Sequence, residues 1–461
     1  VVLTAAGKAA QVVQTGQNVT GGFLDAVTST SGAAQYYSIT DIGSDKYLIS
    51  YEDGGNNGYP TVVVATCSGE NRTLSLGTPV VAQSIHVQNT AIEWNTNDSK
   101  ALLVYRRDTA AEYAYMHNVT VSGTTPTVTT QQDLDVSQNC SYPGAIYNPD
   151  TQKVVVYHAY DNSNKYLKLH AIDTSGANPS SSYNLSIQDD TYSGDISQEN
   201  RVDYDTANNK FLFVNRNSSD DECYGRLVTD SGSAFTAHIR LALSASSTIH
   251  EPTVTYDVTA GKFLVTWRNE SNSNYTEAVV VTYNASTSGT LIDKGTVTQL
   301  DSRAFTQSAS AASYDTYNSV TTLVRGDGSS TYAQIGFWTV KITGTTPSVF
   351  SSGVIGNTSQ YDGSRVQMPR KHMTTEGVYH PTVIVAGGKQ GDSDKGYYAV
   401  GRTVQTTSTN LTSTNFLGLA AAGISDTAAG NITVLGGINS NQTSLAIGTE
   451  YWATDTGTVA T

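Results

Sequence analysis

Charge is scarce in this sequence. Asp, Glu, Lys and Arg make up 14% of its 461 residues, against about 25% in an average globular protein. What charge there is runs negative, 26 Lys and Arg against 40 Asp and Glu, for a net charge of -14. Such a field repels polyanions, so neither nucleic acid nor insertion into a membrane is expected of it. Cysteine is nearly missing. Cys67, Cys140 and Cys223 are too few and too far apart for a disulfide framework. No CxxC pair or Cys/His cluster suggests zinc, and buried free thiols are the expectation. No apolar run approaches the roughly 18 residues of a membrane-spanning helix. The start, Val1-Val2-Leu3-Thr4, lacks Met and lacks the basic and apolar segments of a secretion signal, so a processed or trimmed chain is expected.

Helix formers are thin as well: Lys, Glu, Leu and Met are all uncommon, with 3 Met in the chain. Val, Thr and Tyr, which suit a pleated surface, are abundant, with 28 Tyr against 9 Phe and 4 Trp. Polarity comes from Ser, Thr, Asn and Gly. At 38% hydrophobic residues the chain can still build a core. The composition points to an all-β protein.

One element recurs along the chain: an aromatic, then Asp or Asn, a turn of four to five residues, and a short β-branched or aromatic strand. Copies begin at Trp94-Asn95, Tyr147-Asn148, Tyr204-Asp205, Tyr256-Asp257 and Tyr314-Asp315, at steps of 53, 57, 52 and 58 residues. Weaker copies flank them at Ile42–Tyr51 and at Thr374–Val385. Asp or Asn after an apolar run is a hairpin signal. A third strand follows, such as Tyr166–Ala171 or Ala278–Tyr283, and then a weaker fourth. Seven units of about 55 residues, four antiparallel strands each, predict a seven-bladed β-propeller. The aromatic is expected to pack between neighbouring blades and the Asp or Asn to cap the turn. Arg106, Arg216, Arg268 and Arg325, which recur at strand ends, are expected to bond neighbouring loops or carbonyls. The period is too long for WD40 repeats. Kelch Gly-Gly doublets and sialidase Asp boxes are missing from the repeat.

Composition shifts after Asn410. Residues 411–461 hold no Lys or Arg and read as alternating β with Gly turns, a small module of about 45 residues. The string Asn415-Phe416-Leu417-Gly418-Leu419-Ala420 runs through Ile424-Ser425-Asp426 and Ala429-Gly430-Asn431-Ile432-Thr433-Val434-Leu435-Gly436-Gly437. Leu445, Gly448 and Tyr451-Trp452 follow. Together they resemble a module near the ends of fibre-like structural proteins of marine tailed bacteriophages, cyanophages included. The resemblance covers about a tenth of the chain and carries no catalytic residue. It implies a virion surface component, either a tail fibre or receptor-binding protein or a capsid-associated one.

Motifs that would carry chemistry are few. Glycoside hydrolysis needs two carboxylates about 5 Å or about 6.5–9.5 Å apart. Glu52, Asp53, Glu93, Glu199, Asp203, Glu251 and Glu270 are the candidates, each more simply read as a turn or solvated acid. The eight His residues, among them His86, His158, His170, His250, His372 and His380, form no HExxH motif, and no nucleophile elbow or phosphate loop is present. Asp53–Gly58, Ser219–Glu222 and Gly391–Asp394 are oxygen-rich loops of the kind calcium uses, but none has spaced ligands closed by a bidentate acid. Arg325-Gly326-Asp327 matches an integrin-binding tripeptide and sits where the repeat demands a tight turn. Tyr59, Tyr113, Tyr160, Tyr275 and Tyr361, on expected inter-strand loops, are candidates for stacking on a glycan.

The expected organisation is therefore an arm or ring-closing strand over residues 1–32, a seven-bladed propeller over 33–410 and a small β-module over 411–461. The expected function is a non-enzymatic virion structural protein used in host attachment. It would work at the virion surface or outside the cell, without cofactor, calcium apart. Its partners would be other virion proteins, copies of itself, and a host surface glycan or protein. A decoration protein without adhesive role and a secreted carbohydrate-active enzyme or lectin are the alternatives.

Overall fold

The computed structural model describes residues 34–355 apart from breaks at 69–72, 110, 138, 161–165, 188–200, 218–219, 245–247, 301, 305–309, 317–318 and 327–334. Outside that range it describes strand segments at 9–11, 362–367, 382–389, 395–402, 416–420, 432–433, 452–453 and 459–460. Contacts divide the chain into two units, residues 19–403 and residues 1–18 with 404–461. The fold is all-β. Among the described residues there are strands and two one-turn 3-10 segments, Gly54–Asn56 and Glu270–Asn272, and no α-helix.

The larger unit holds seven antiparallel sheets among its described residues, each built from strands consecutive in sequence. The first sheet is Ala34–Gly43, Lys46–Asp53, Tyr59–Ser68 and Thr73–Leu76. The second is Val87–Asn95, Lys100–Arg107, Ala114–Ser122 and Thr125–Val128, and the third is Cys140–Asn148, Lys153–Tyr160, Leu167–Asp173 and Ser180–Ile187. The fourth is Arg201–Asp205, Lys210–Asn217, Glu222–Asp230 and Phe235–Ala237, and the fifth is Ile249–Asp257, Lys262–Asn269, Tyr275–Tyr283 and Ile292–Lys294. The sixth is Ser310–Asp315, Val320–Gly326, Ile335–Thr343 and Thr346–Ile355, and the seventh is Asp362–Gln367, Thr382–Lys389 and Lys395–Arg402. Short strands Val80–Val81, Gln132–Asp135, Leu241–Ala242 and Thr298–Gln299 pair with the third strands of the first, second, fourth and fifth sheets.

The repeated aromatic-Asp/Asn pair ends the first strand of the second to sixth sheets. Its acid or amide makes the turn. Asn95 Oδ1 accepts from the backbone N–H of Asn97 and Asp98, Asn148 Oδ1 from Asp150, Asp205 Oδ1 from Ala207 and Asn208, and Asp257 Oδ1 from Ala260, at 2.8–3.2 Å. These side-chain bonds stand in for the backbone bonds of a longer turn. The residue before each second strand is left-handed: Ser99, Gln152, Asn209, Gly261 and Ser319 all have φ between 52° and 66°. Only Gly261 takes that conformation without a steric cost. The aromatic reaches back one repeat. The Tyr204 hydroxyl donates to Asp150 at 2.5 Å, and the Tyr314 hydroxyl donates to Thr259 at 2.8 Å.

A second inter-sheet bond starts from the lysine that opens the second strand. Lys46 Nζ donates to the Gly123 carbonyl of the second sheet at 2.9 Å. Lys100 Nζ donates to the carbonyls of Thr174, Ser175 and Gly176 of the third at 2.7–3.0 Å. Lys262 Nζ donates to the Gly344 carbonyl of the sixth at 2.5 Å. Lys210 lies over the Tyr283 ring of the fifth sheet. First strands stand side by side: Ala34–Gly43 beside Val87–Asn95, then Cys140–Asn148, Arg201–Asp205, Ile249–Asp257, Ser310–Asp315 and Asp362–Gln367. Asp362–Gln367 in turn lies beside Ala34–Gly43.

The core is a series of layers between neighbouring sheets. Leu48, Val62 and Val64 of the first sheet pack on Ile92, Leu103 and Tyr105 of the second. Leu102, Val104 and Met116 of the second pack on Ala145, Val154 and Val156 of the third. The same holds for the third with the fourth, the fourth with the fifth and the fifth with the sixth. Successive residues of a strand point to opposite faces. Leu102 and Leu103 therefore serve two different layers, and the strands read as unbroken apolar runs. The free face of the first sheet is also covered: Tyr37, Ile39, Ile49, Val63 and Cys67 form a buried cluster. Cys67, Cys140 and Cys223 are buried free thiols.

In the smaller unit Ala9–Gln11 pairs antiparallel with Phe416–Ala420, which pairs with Ile432–Thr433, and Trp452–Ala453 pairs with Val459–Ala460. The segment read as an arm or ring-closing strand thus places Ala9–Gln11 in a sheet with the C-terminal module.

Replacing Leu103, which has no exposed surface, by Ala is expected to cost about 2–5 kcal/mol. The same change at Ile239, 63% exposed, should stay within about 0.5 kcal/mol. Urea unfolding of the two variants checks the pair.

Candidate functional site

Of the tyrosines expected to stack on a glycan, Tyr160 is buried and Tyr59, Tyr113 and Tyr275 are half-buried. Tyr59 and Tyr275 open third strands and are half-buried. Tyr113 lies in a loop, half-buried against the layer between the first two sheets. Tyr160 ends the second strand of the third sheet, 2% exposed. Tyr361 lies outside the described residues. The Tyr160 ring is taken up by His158, Tyr166 and Lys168, and Tyr113 packs on the layer between the first two sheets. No two of the described four come together in one ring contact or hydrogen bond that would make a stacking platform.

The repeated arginines pair with acids and amides of nearby loops and first strands. Arg106 bonds Gln88 and forms an ion pair with Glu112 at 3.0 Å. Arg216 grips Asp221 at 2.6 Å and lies 3.2 Å from His250. Arg268 Nη1 donates to Asn274, and its Nη2 lies 3.4 Å from Glu251. Arg325 has no exposed surface and donates to Glu251 at 3.0 Å. The arginine of the Arg325-Gly326-Asp327 tripeptide is therefore bound inside the protein. Of the candidate carboxylates, Asp203 accepts from the backbone N–H of Tyr204 and Tyr256, Glu251 is held by the two arginines, and Glu270 bonds His250 at 2.8 Å. Glu199 lies outside the described residues. Of the calcium-type loops, Asp53–Gly58 closes on itself through Gly58 N–H to the Asp53 carbonyl, and Asp220 accepts from Asn217 and Tyr224. Residues 391–394 lie outside the described residues.

These arginines share an edge with a feature that no residue type announces. Four first strands carry a bulge at a left-handed, non-glycine residue: Tyr36, Asn89, Tyr142 and Glu251, φ 50° to 54°. The carbonyl turned out at the bulge is taken by the next sheet. Thr90 Oγ1 donates to the Tyr36 carbonyl at 2.6 Å, and Ser310 Oγ donates to that of Glu251 at 2.9 Å. At Tyr36 and Glu251 the bulge gives up a ladder bond and gains one between sheets.

Among the described residues, one compact group of chemistry-bearing side chains lies between the second and third sheets. His158 and Tyr160 come from one strand of the third sheet, and Lys168 and His170 from the next. His158 stands opposite Lys168 in the register. Asp135 comes from the short strand that pairs with the third strand of the second sheet. Its Oδ1 accepts from the N–H and hydroxyl of Ser137 at 3.1 and 2.6 Å. Its Oδ2 accepts from Tyr160 at 2.5 Å and from Lys168 at 2.8 Å. His158 Nε2 and His170 Nε2 face each other 3.1 Å apart and lie 3.9 and 3.8 Å from that same Oδ2. Asp135, His158 and His170 are all buried.

Burial works against ionised groups here, and the neighbours decide the outcome. It would raise the Asp135 carboxyl, but the bonds from Lys168, Ser137 and Tyr160 hold it well below the ordinary carboxylate range. Burial also drives down both imidazoles, His158 to about 4 and His170 to about 3, so both rings are neutral near pH 7. His170 Nδ1 is buried with no hydrogen-bond partner. In the sequence His158 and His170 stand among eight histidines that form no motif. Nothing in their spacing linked them to Asp135, because the triad crosses two sheets.

No family model matches the chain, and no curated protein matches it. Among solved structures, a protein of unknown function from Dyadobacter fermentans is similar at TM-score 0.43 and 9% identity, over 81% of this chain and 96% of that one. Raptor of Chaetomium thermophilum is similar at TM-score 0.48 and 10% identity over 88% of this chain, which spans 29% of Raptor. Sqt1 of the same organism is similar at TM-score 0.45 and 9% identity, over 78% and 82% of the two chains. All three TM-scores fall below 0.5, and none supports a functional reading.

A histidine outside this cluster sets a pH dependence. His117 is fully buried between the Tyr105 hydroxyl and the Thr129 carbonyl, each 2.8 Å from a ring nitrogen. Burial lowers its pKa below the ordinary 6.5. The unfolded chain then takes up a proton that the folded one refuses, so this contribution is complete above pH 6.5 and is lost as pH falls below it. His117→Gln is expected to flatten the decline in melting temperature between pH 7 and pH 5. An unchanged slope would contradict the assignment.

Proposed function

We propose that the chain is a bacteriophage virion structural protein whose larger unit is a seven-bladed β-propeller displayed for attachment to the host surface. The propeller reading is supported by burial on both sides of the first sheet. A row of sheets that simply ended would leave Ile49, Val63 and Cys67 in water, yet each is at most 1% exposed. The order of neighbouring first strands returns from Asp362–Gln367 to Ala34–Gly43, which supplies the missing cover. Closing the row in this way removes its apolar ends.

The virion reading rests on the resemblance at Asn415–Gly437 and Tyr451-Trp452. The chain's topology is consistent with it. Residues 19–403 are inserted between the two segments of the smaller unit, so one module made from both ends of the chain would fix a single displayed body. A binding rather than catalytic role is supported by the structural bonds that hold Asp203, Glu251 and Glu270. Partners in this reading are other virion proteins, copies of the chain by symmetry, and a glycan or protein of the host surface.

Two measurements test the proposal. Hydrogen exchange on the full chain should show Leu48–Tyr51 of the first sheet as protected as Val154–Tyr157 of the third. Rapid exchange confined to the first and seventh sheets would indicate an open row. Quantitative mass spectrometry of purified particles of a phage encoding the chain should find a few to a few tens of copies per particle. Hundreds of copies would point to shell decoration instead of attachment, and absence would remove the virion reading altogether.

A further inference from the structure

We propose that Asp135, His158 and His170 bind a divalent transition-metal ion that ties the second sheet to the third. The three donor atoms form a triangle with edges of 3.1, 3.8 and 3.9 Å. The point in their plane equidistant from all three lies about 2.1 Å from each, the length of a Zn–N or Zn–O bond. Two imidazoles and one carboxylate suit zinc and its neighbours in the first transition row and do not suit calcium, which takes six to eight oxygens.

The surroundings favour a cation at that point. Metal ligation uses the neutral imidazole, and the two Nε2 atoms converge on that point beside the carboxylate oxygen. Asp135 is oriented through its other oxygen by Ser137, as outer-shell partners orient a ligating carboxylate. Without a metal, the two buried Nε2 atoms share one proton in a single N–H···N bond; a metal between them would take both lone pairs at once. The cation now on Asp135 Oδ2 is the Lys168 ammonium. Lys168 sits at the rim with its side chain 16% exposed, and a flexible lysine can swing to water when a metal takes its place. Lys168 is therefore a competitor for the site.

The experiment uses untagged full-length chain, stripped with a chelator and titrated with Zn2+ and Co2+. One equivalent of Zn2+ per chain, a visible spectrum of tetrahedral Co2+ and a higher melting temperature with Zn2+ are expected. Asp135→Asn and His170→Gln alter ligands themselves, so each should weaken binding by at least the roughly tenfold to hundredfold that losing an outer-shell partner costs. Lys168→Met should tighten it, which a purely structural lysine would not do. His86→Gln removes an exposed histidine beside Asp108 and Glu52, and it should leave the stoichiometry unchanged. Should a cluster variant fail to fold, the wild-type stoichiometry and Co2+ spectrum decide alone. Retention of less than a tenth of an equivalent, or binding lost in His86→Gln and kept in His170→Gln, overturns the site.

Discussion

Both faces of the first five sheets in the larger unit are apolar, and the rest of the unit follows from that. A sheet with one wet face can stand as a layer over a core. A sheet like Lys100–Arg107 and its partners, with Leu102 and Val104 on one side and Leu103 and Tyr105 on the other, must be sandwiched. Each neighbour that covers it brings a second apolar face of its own, so the demand passes along the chain from one repeat to the next. The ring we propose is the arrangement in which that demand is met without a special end piece.

Stacking by apolar faces alone would leave neighbouring sheets free to slide. Polar bonds at both ends of the strands prevent it. At one end, the turn-capping Asp or Asn, the backward-reaching Tyr204 and Tyr314, and the forward-reaching lysines connect each hairpin to its neighbours. At the other, the bulge carbonyls of Tyr36 and Glu251 are held by Thr90 and Ser310. The buried triad of Asp135, His158 and His170 sits at only one of these junctions. Its placement there is not repeated among the described residues of the other sheets.

The hairpins were legible because their signal is local. An aromatic, Asp or Asn and a short turn lie within a few residues, and the side chain that marks the turn also forms it. A lysine starts the second strand at Lys46, Lys100, Lys153, Lys210 and Lys262 but not at Val320, and the carbonyls that Lys46, Lys100 and Lys262 reach lie 74 to 82 residues away, in a neighbouring sheet. The bulges were illegible for a different reason. Tyr36, Asn89, Tyr142 and Glu251 share a backbone conformation and no chemistry, so no residue pattern betrays them. Tyr160 misled because a Tyr near a turn reads the same whether its ring faces water or the interior. Tyr160 belongs to the buried cluster, where its hydroxyl serves Asp135. That cluster needed the third dimension, since its donors come from three strands in two sheets.

The lysine contacts have one more consequence. Lys46, Lys100 and Lys262 find the neighbouring sheet through carbonyl oxygens, and a carbonyl is the same whichever residue carries it. The connection is blind to the side chains of the repeat it grips. Substitutions can accumulate in those turns, and a whole repeat can be exchanged for a diverged one, without the link being lost. An architecture joined in this way can drift in sequence far beyond recognition while its parts still fit.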